Sequence, residues 1–205
     1  MEISASKVKE LRDLSGAPMM DCKSALVEAK GDLSQAHKIL RQRGQATAAK
    51  RSAKTTSDGA VGSYIHGGGR IGVLVEVNCE TDFVARTADF QTLVRDLAMH
   101  VAASEPRFVD REEVTEAVLA EEREVYRQQA RATGKPEPVV EKIVAGKMEK
   151  FFQEFCLLEQ PFVRDPNVTV RDVIHGVVAK CGENIRVRRF VRFVLGQGDR
   201  RPPGA

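Results

Sequence analysis

The stretch VEVNCETDFVARTADF, residues 75–90, changes from the pattern of a strand to the pattern of a helix within a few residues. Its first part alternates apolar and polar residues, which indicates a strand with one buried face. At the junction stand Thr81, Asp82, Phe83 and Val84, with a carboxylate and a large aromatic ring side by side. Because an acid favours the positive end of the helix dipole, Asp82 by itself predicts only that a helix begins here.

The position of Phe83 in the sequence leads to a different prediction, that of a buried residue. Residues 83, 90 and 97 are seven apart, so Phe83 would fall on the same helical stripe as Phe90 and Leu97. Periodicity alone therefore favours a Phe83 that packs in the core.

The strand in this stretch is the second arm of a predicted β-hairpin. Val61 and Ile65 alternate with polar positions before the turn at Gly67–Gly69, and the returning strand RIGVLVEVNC is apolar on one face. No Gly-Lys-Ser/Thr follows the glycines, and their loop joins two strands, so the pattern excludes a phosphate-binding loop.

Helical periodicity predicts the elements that follow, and a third strand ends the series. With helices covering one side of three strands, the predicted fold class is α+β with a three-stranded antiparallel sheet. His100, at the edge of an apolar stripe, is interpreted as a hydrogen-bonded structural histidine. The predicted helices are 88–103, 110–133 (capped by Asp110 with Glu113), 137–157 and one capped by Thr169, and the strand is NIRVRRFVRFVL, 184–195.

Residues 1–44 have the pattern of three short helices. The expected bounds are Ser4–Leu14, a second helix beginning at Asp21, and a third capped by Asp32 and ended by Gly44. Residues 45–58, QATAAKRSAKTTSD, contain almost no large apolar side chains and are predicted to be a linker. The predicted domains are thus 1–44 and 59–196, with a tail at 197–205.

Composition restricts the class of protein. The chain of 205 residues is 42% hydrophobic, and its 32 Lys and Arg against 29 Asp and Glu leave a formal charge of +3. That excess is too small to indicate nucleic-acid binding, and no apolar run approaches the ~20 residues of a membrane span. The start, MEISASKVKE, lacks the apolar centre of a secretory signal. We therefore expect a soluble, cytoplasmic protein.

The four cysteines and four histidines are dispersed, without any Cys-x-x-Cys pair. The sequence therefore predicts reduced cysteines, no metal site and no cofactor. Two other functions remain to be weighed. One is binding of RNA or the ribosome through Lys50, Arg51 and the arginines of the last strand, and the other is hydrolysis with His66 or Cys79. Neither has a motif behind it.

Two long motifs carry a resemblance to a known family. KELRDLSGAPMMDCKSAL, residues 9–26, resembles the first signature of translation elongation factor Ts, and EVNCETDFVA, residues 76–85, resembles its second. Further blocks, including YIHGGGRIGVLVEVNC and GENIRVRRFVRF, extend the resemblance to residues 3–196.

The resemblance implies a guanine-nucleotide exchange factor that binds GDP-bound elongation factor Tu and makes no covalent change, so the protein is not expected to be an enzyme. It implies a ubiquitin-associated-like three-helix domain, a linker and a sheet-and-helix core. Thr81, Asp82, Phe83 and Val84 would displace the partner's magnesium, with Asp82 and Phe83 protruding into its nucleotide domain. The residues implied to contact the partner elsewhere are Arg12, Met19, Met20 and His66.

Two departures from the family pattern have consequences. The usual Thr-Gly-Ala-Gly-Met-Met is here Ser15 to Met20 with Pro18, which fixes φ and removes a backbone N–H. Longer members carry two related core halves, whereas the Tyr64-Ile65-His66-Gly67 and Thr81-Asp82-Phe83 motifs share one half here. The resemblance therefore implies the short form, which pairs two chains as a homodimer.

Overall fold

A computed structural model of the chain describes residues 3–197. Helices and strands are mixed, in agreement with the predicted α+β class. The helices are α1 (Ala5–Ser15), α2 (Met19–Glu28), α3 (Leu33–Arg51), α4 (Asp82–Ala85), α5 (Ala88–Ser104), α6 (Glu116–Arg131), α7 (Glu137–Phe155) and α8 (Val170–Cys181). The strands are β1 (Asp58–His66), β2 (Ile71–Cys79), β3 (Pro161–Phe162), β4 (Asp165–Thr169) and β5 (Ile185–Val194).

The main sheet has three antiparallel strands in the order β1-β2-β5. The predicted hairpin and the predicted last strand are therefore confirmed. A second, two-stranded antiparallel sheet pairs β3 with β4. The sequence pattern does not predict this small hairpin, because a strand of two residues is too short to show alternation.

The chain divides into two compact units. Among the described residues, the first contains 3–63, 74–98 and 171–189, and the second contains 64–73, 99–170 and 190–197. In the first unit, α1, α2 and α3 surround a core of their own, whose fully buried side chains include Leu11, Leu26 and Ala36. The proposed domain bounds at residues 44, 58 and 196 stay predictions.

The predicted start of α1 is confirmed: Ser4 is the N-cap, and its side chain accepts a hydrogen bond from Lys7 N. The predicted start of α2 at Asp21 is wrong, because the helix begins at Met19 directly after Pro18. Pro18, at φ −55°, provides the restricted backbone of a helix entry and has no N–H that would be left unpaired there.

The predicted end of α3 at Gly44 is also wrong. The helix continues to Arg51, so most of the segment expected to be a linker is helical. Gly44 is buried where α3 crosses α8: a Cβ at this position would lie 3.6 Å from both the Ala179 Cβ and the His175 carbonyl oxygen. The glycine therefore permits close packing of two helices and does not end one.

Helix α5 packs on the main sheet. A Cβ at Gly62 of β1 would lie 2.3 Å from Val94 Cγ1, so a larger residue there would displace the helix. The predicted apolar stripe of α5 is confirmed, since Phe90, Leu93, Val94, Leu97 and Val101 are all buried.

In the second unit, α6 and α7 share a core that includes Val140, Val144 and Phe151. The predicted single helix from Asp110 is wrong at its start: Arg111–Glu113 form one 3₁₀ turn, and the buried Val114 has an extended backbone. Thr115 then caps α6 by accepting a hydrogen bond from Val118 N.

His100 has the structural role that its position predicted. Its ring is fully buried, its Nε2 lies 2.9 Å from Gln160 Oε1, and its Nδ1 accepts a hydrogen bond from Val163 N at 3.2 Å. Burial lowers the pKa of this imidazole.

Over residues 3–197, no helix is long and apolar enough to cross a membrane. The predicted tail, apart from residue 197, lies outside the described residues.

Candidate functional site

The Asp82–Phe83 turn begins where a buried strand ends. Cys79 closes β2 with no exposed surface, and Thr81 is the N-cap of α4, with its Oγ1 accepting a hydrogen bond from Val84 N at 3.4 Å. Helix α4 is a single turn, in which Val84 and Ala85 point inward and are buried. Phe83 points outward instead, with 77% of its surface exposed.

The interpretation of Phe83 as a core residue is therefore wrong. The heptad spacing fails because α4 ends before α5 begins, so residues 83 and 90 belong to different helices. Thr87 creates the break: its Oγ1 donates to Val84 O at 2.8 Å and accepts from Phe90 N at 3.3 Å. The phenyl ring thus projects into solvent from a turn that two buried neighbours hold in place, where it is accessible to a partner.

Asp82 is next to this ring and is also exposed. Its Oδ2 accepts a hydrogen bond from Arg86 Nη2 at 2.6 Å, four residues further along. Because both side chains are in solvent, the ion pair contributes little to stability. The carboxylate is therefore available to exchange Arg86 for another cation at small cost.

Glu183, in the loop before β5, fixes the start of the turn. Thr81 donates its backbone N–H to Glu183 Oε2 at 3.0 Å and its hydroxyl to Glu183 Oε1 at 2.7 Å. Sequence reasoning did not find Glu183, because 102 residues separate the two partners and nothing local marks the contact.

Arg12, Met19 and Met20 lie at the corner where α1 leads into α2. Met19 is 50% exposed and Met20 is 72% exposed, so neither fills the three-helix core. Arg12 is in the last turn of α1 and is exposed. We call Arg12, Met19 and Met20 the N-terminal patch. Leu14 and Val27 are also exposed apolar residues of α1 and α2 and were not predicted.

His66 is the last residue of β1 and belongs to the second unit. Its Nδ1 lies 3.1 Å from the hydroxyl of Tyr64, and the two rings are stacked with centroids 5.9 Å apart. The glycines that follow have positive φ, as a tight hairpin turn requires. The structure thus brings Thr81–Val84 together in one turn and Arg12, Met19 and Met20 at one corner.

Some residues of the two other functions are paired or buried. Arg51 lies 3.5 Å from Glu80, and Arg189 on β5 is paired with Glu76 at 2.7 Å, which neutralises part of the basic surface. Burial, with Glu183 and Asp58 nearby, raises the pKa of the Cys79 thiol to about 11, so at neutral pH it is a poor nucleophile. Among residues 3–197, no group of His, Cys, Asp and Glu has the arrangement of a metal site.

Comparison with known proteins gives one consistent result. The family model described as Elongation factor TS matches residues 4–197. A protein named Elongation factor Ts from Moorella thermoacetica is 62% identical over 196 residues, which cover 96% of this chain and 97% of the relative. Proteins of the same name from Koribacter versatilis and Geobacter sulfurreducens are 59% and 56% identical, over 96% and 97% of this chain and 90% and 92% of their own lengths.

Proposed function

Because this chain belongs to the elongation factor Ts family, we propose that it is a guanine-nucleotide exchange factor that releases GDP from elongation factor Tu by disturbing the magnesium site of its partner. The observation that carries the proposal is the Asp82–Phe83 turn, where an exposed phenyl ring adjoins an exposed carboxylate on a turn anchored by buried Val84 and Ala85.

The ring and the carboxylate have separate roles. Mg²⁺ requires octahedral oxygen coordination, so small displacements of its ligands weaken nucleotide binding. The Phe83 ring enters the partner's nucleotide domain and shifts the segment that carries those ligands. Asp82 perturbs the water shell of the ion. No covalent bond changes, and no nucleophile or general base of this chain takes part.

The N-terminal patch provides affinity. Methionine side chains adapt to an apolar surface, and the guanidinium of Arg12 can pair with an acid on a partner helix. Burial of Met19 and Met20 on the partner would remove from water apolar surface that the free protein exposes. Docking by this patch then brings the Asp82–Phe83 turn to the nucleotide domain.

The working form is a homodimer that acts in the cytoplasm on the GDP-bound partner, without binding nucleic acid itself. Its support is the exposed apolar surface of the second unit, formed by Ile65, Val191, Phe193 and Leu195. In the dimer, the hairpin bearing His66 from one chain and the Asp82–Phe83 turn from the other serve the same partner molecule. Two-fold symmetry gives two such sites.

The direct test measures release of labelled GDP from purified elongation factor Tu after addition of excess unlabelled nucleotide. We expect catalytic amounts of this chain to accelerate release, with a rate that saturates as its concentration rises. Heat-denatured protein is the control. Release that stays at the spontaneous rate at every concentration would contradict the proposal.

A further inference from the structure

The Asp82–Phe83 turn is connected to a distant loop by two glutamates that act reciprocally. Glu183 accepts hydrogen bonds from the N–H and the hydroxyl of Thr81. Glu80, the residue before Thr81, accepts in turn from the N–H of Asn184, the residue after Glu183, at 2.6 Å. Each glutamate thus binds the backbone that follows the other glutamate, and we call Glu80, Thr81, Glu183 and Asn184 the glutamate clamp.

The clamp is itself fixed to the end of α3. Asn184 is only 5% exposed, and its Nδ2 donates to the carbonyl oxygens of Lys54 at 2.8 Å and Ser52 at 3.3 Å. Glu80 also pairs with Arg51, the last residue of α3. The loop between α8 and β5 therefore connects the backbone near α3 to the first residue of α4.

A helix of one turn cannot fix its own direction, because helix formation is unfavourable until several turns are made. In α4 the Val84 side chain anchors one side, and the bond from Val84 N to Thr81 Oγ1 is long, at 3.4 Å. The two bonds to Glu183 are shorter, and they involve a charged acceptor, which makes them the stronger contacts at this position.

The two bonds between Glu183 and Thr81 are not required to satisfy buried groups. Thr81 is exposed, so water can replace Glu183 as the partner of its N–H and hydroxyl. Loss of Glu183 would therefore cost the fold little, but it would free the direction in which Asp82 and Phe83 project. A charged pair of contacts at a solvent-accessible site is better explained by orientation than by stability.

We propose that Glu183 is a positioning residue for nucleotide exchange, which acts through Thr81 on the orientation of the Asp82–Phe83 turn. This inference rests on the proposed function. It adds that the turn is oriented before the partner binds, by a residue that does not belong to the turn.

The test compares three variants in the GDP-release assay as the concentration of this chain is varied. Glu183→Ala removes both acceptors, whereas Glu183→Gln can still accept from Thr81 N–H and donate to Thr81 Oγ1. Glu76→Ala is the matched control, because it removes a carboxylate of β2 that is paired with Arg189 and does not contact the turn. We expect Glu183→Ala to lower the maximal rate about fivefold with an unchanged half-saturating concentration, since transition-state contacts are lost without loss of docking.

The conservative variant and the control should both stay within about twofold of the unmodified protein. In the Phe83→Ala background, Glu183→Ala should cost less than about twofold more, because residues that act as one unit are non-additive. In the free protein, amide hydrogen exchange of residues 80–87 should become faster in Glu183→Ala and not in Glu76→Ala. This last readout does not depend on the partner.

The outcomes separate the inference from the proposed function. If the unmodified chain does not accelerate GDP release, the proposed function fails and this inference fails with it. If that chain is active and Glu183→Ala matches it, or if the variant raises the half-saturating concentration instead, only the inference is overturned. If the losses of maximal rate in Glu183→Ala and Phe83→Ala were fully additive in the double variant, the inference would also be overturned.

Should Glu183→Ala fold poorly, Thr81→Val decides in its place. This variant keeps the N–H bond to Glu183 but loses the hydroxyl bond, so a maximal rate equal to that of the unmodified protein would refute the proposal.

Discussion

Phe83 is exposed because a threonine divides what would otherwise be one helix. Thr87 closes α4 and caps α5, and Gln91 Nε2 donates to the carbonyl oxygen of Ala85 at 2.7 Å. If the helix were continuous, Phe83 would join the buried stripe that includes Phe90 and Leu97. A two-residue interruption thus converts a core position into a projecting one.

For the single residues of this turn, the local sequence pattern predicted less than the family resemblance did. Local pattern placed an acid correctly at the start of a helix but assigned Phe83 to the core. Thr87, three residues before Phe90, is a capping signal that could have revealed the break. Glu183 could not have been found in this way, because its contact with Thr81 exists only after the sheet has formed.

Phe83→Ala should separate activity from stability. Since the ring is exposed, its removal leaves no cavity, and the midpoint of thermal unfolding should not change. The maximal rate of GDP release should fall about tenfold or more, because the ring is proposed to act inside the partner. Val125→Ala, at an exposed apolar position of α6, is the control. If Phe83→Ala lost both thermal stability and exchange activity, the ring would have to be a core residue.

Asp82→Ala should produce a smaller loss that depends on magnesium. If the carboxylate acts on the ion's water shell, its removal matters most when magnesium is abundant, and the deficit should shrink as magnesium is lowered. Arg86→Ala keeps the carboxylate and removes its intramolecular partner, so that variant should remain active. Release rates of both variants across a magnesium titration are the measurement. A deficit of Asp82→Ala that is equal at all concentrations would argue against a role at the ion.

Among the elements, α3 differs most from the sequence prediction. Gly44 was interpreted as a helix end because glycine commonly follows helices. Here its backbone is helical and its lack of a side chain allows α8 to approach. Arg41 of α3 and Asp172 of α8 form two hydrogen bonds near this crossing, at 2.5 and 3.2 Å. A contact with a helix more than a hundred residues away cannot be derived from local pattern.

Two substitutions at Gly44, where α3 crosses α8, should change the stability of the protein in opposite directions. Gly44→Ala should stabilise the protein by up to about 1 kcal/mol, because alanine favours the helix and its Cβ would be in ordinary contact. Gly44→Leu should destabilise it by about 1–3 kcal/mol, because the longer side chain overpacks against α8. Chemical denaturation of both variants is the measurement. Two changes of the same sign would show that α3 and α8 are not in close contact there.

For other elements, the hydrophobic pattern of the sequence is enough to predict the structure. The apolar stripes of α5 and β2 agree with the prediction because each of these elements packs one whole face on a core. The starts of α2 and α6 were missed where Pro18 and Val114 determine the backbone locally, and the β3–β4 hairpin was too short to detect. Element type followed from periodicity, whereas the boundaries followed from single residues.

For the whole molecule, docking and exchange should be separable. Met19→Ala combined with Met20→Ala removes the apolar part of the N-terminal patch without touching the three-helix core. We expect the half-saturating concentration in the GDP-release assay to rise about tenfold, with the maximal rate unchanged, because the lost contacts are equal in ground and transition states. Val139→Ala, at another exposed apolar position, is the control. A reduced maximal rate with an unchanged half-saturating concentration would contradict the docking role of the patch.

Assembly is the second prediction at this scale. Sedimentation should show a dimer of the 22.6 kDa chain that dissociates on dilution and is indifferent to reductant, because the four cysteines, all within the described residues, are unpaired and three of them are buried. Phe193→Glu should favour the monomer, since it places a charge in exposed apolar surface, whereas Val163→Glu should not. A monomer that exchanges nucleotide at full rate would refute the shared site.

The uninterrupted course of α3 also limits how the gene can vary in length. Each residue of an α-helix advances the chain by about 1.5 Å and turns it by about 100°. One codon inserted between Gly44 and Arg51 would thus rotate the contacts of Arg51 and Ser52 away from Glu80 and Asn184, while Arg41 and Gly44 stayed on α8. A flexible tether would absorb such an insertion, but a helix attached at both ends cannot. This segment should therefore tolerate substitutions far better than insertions or deletions.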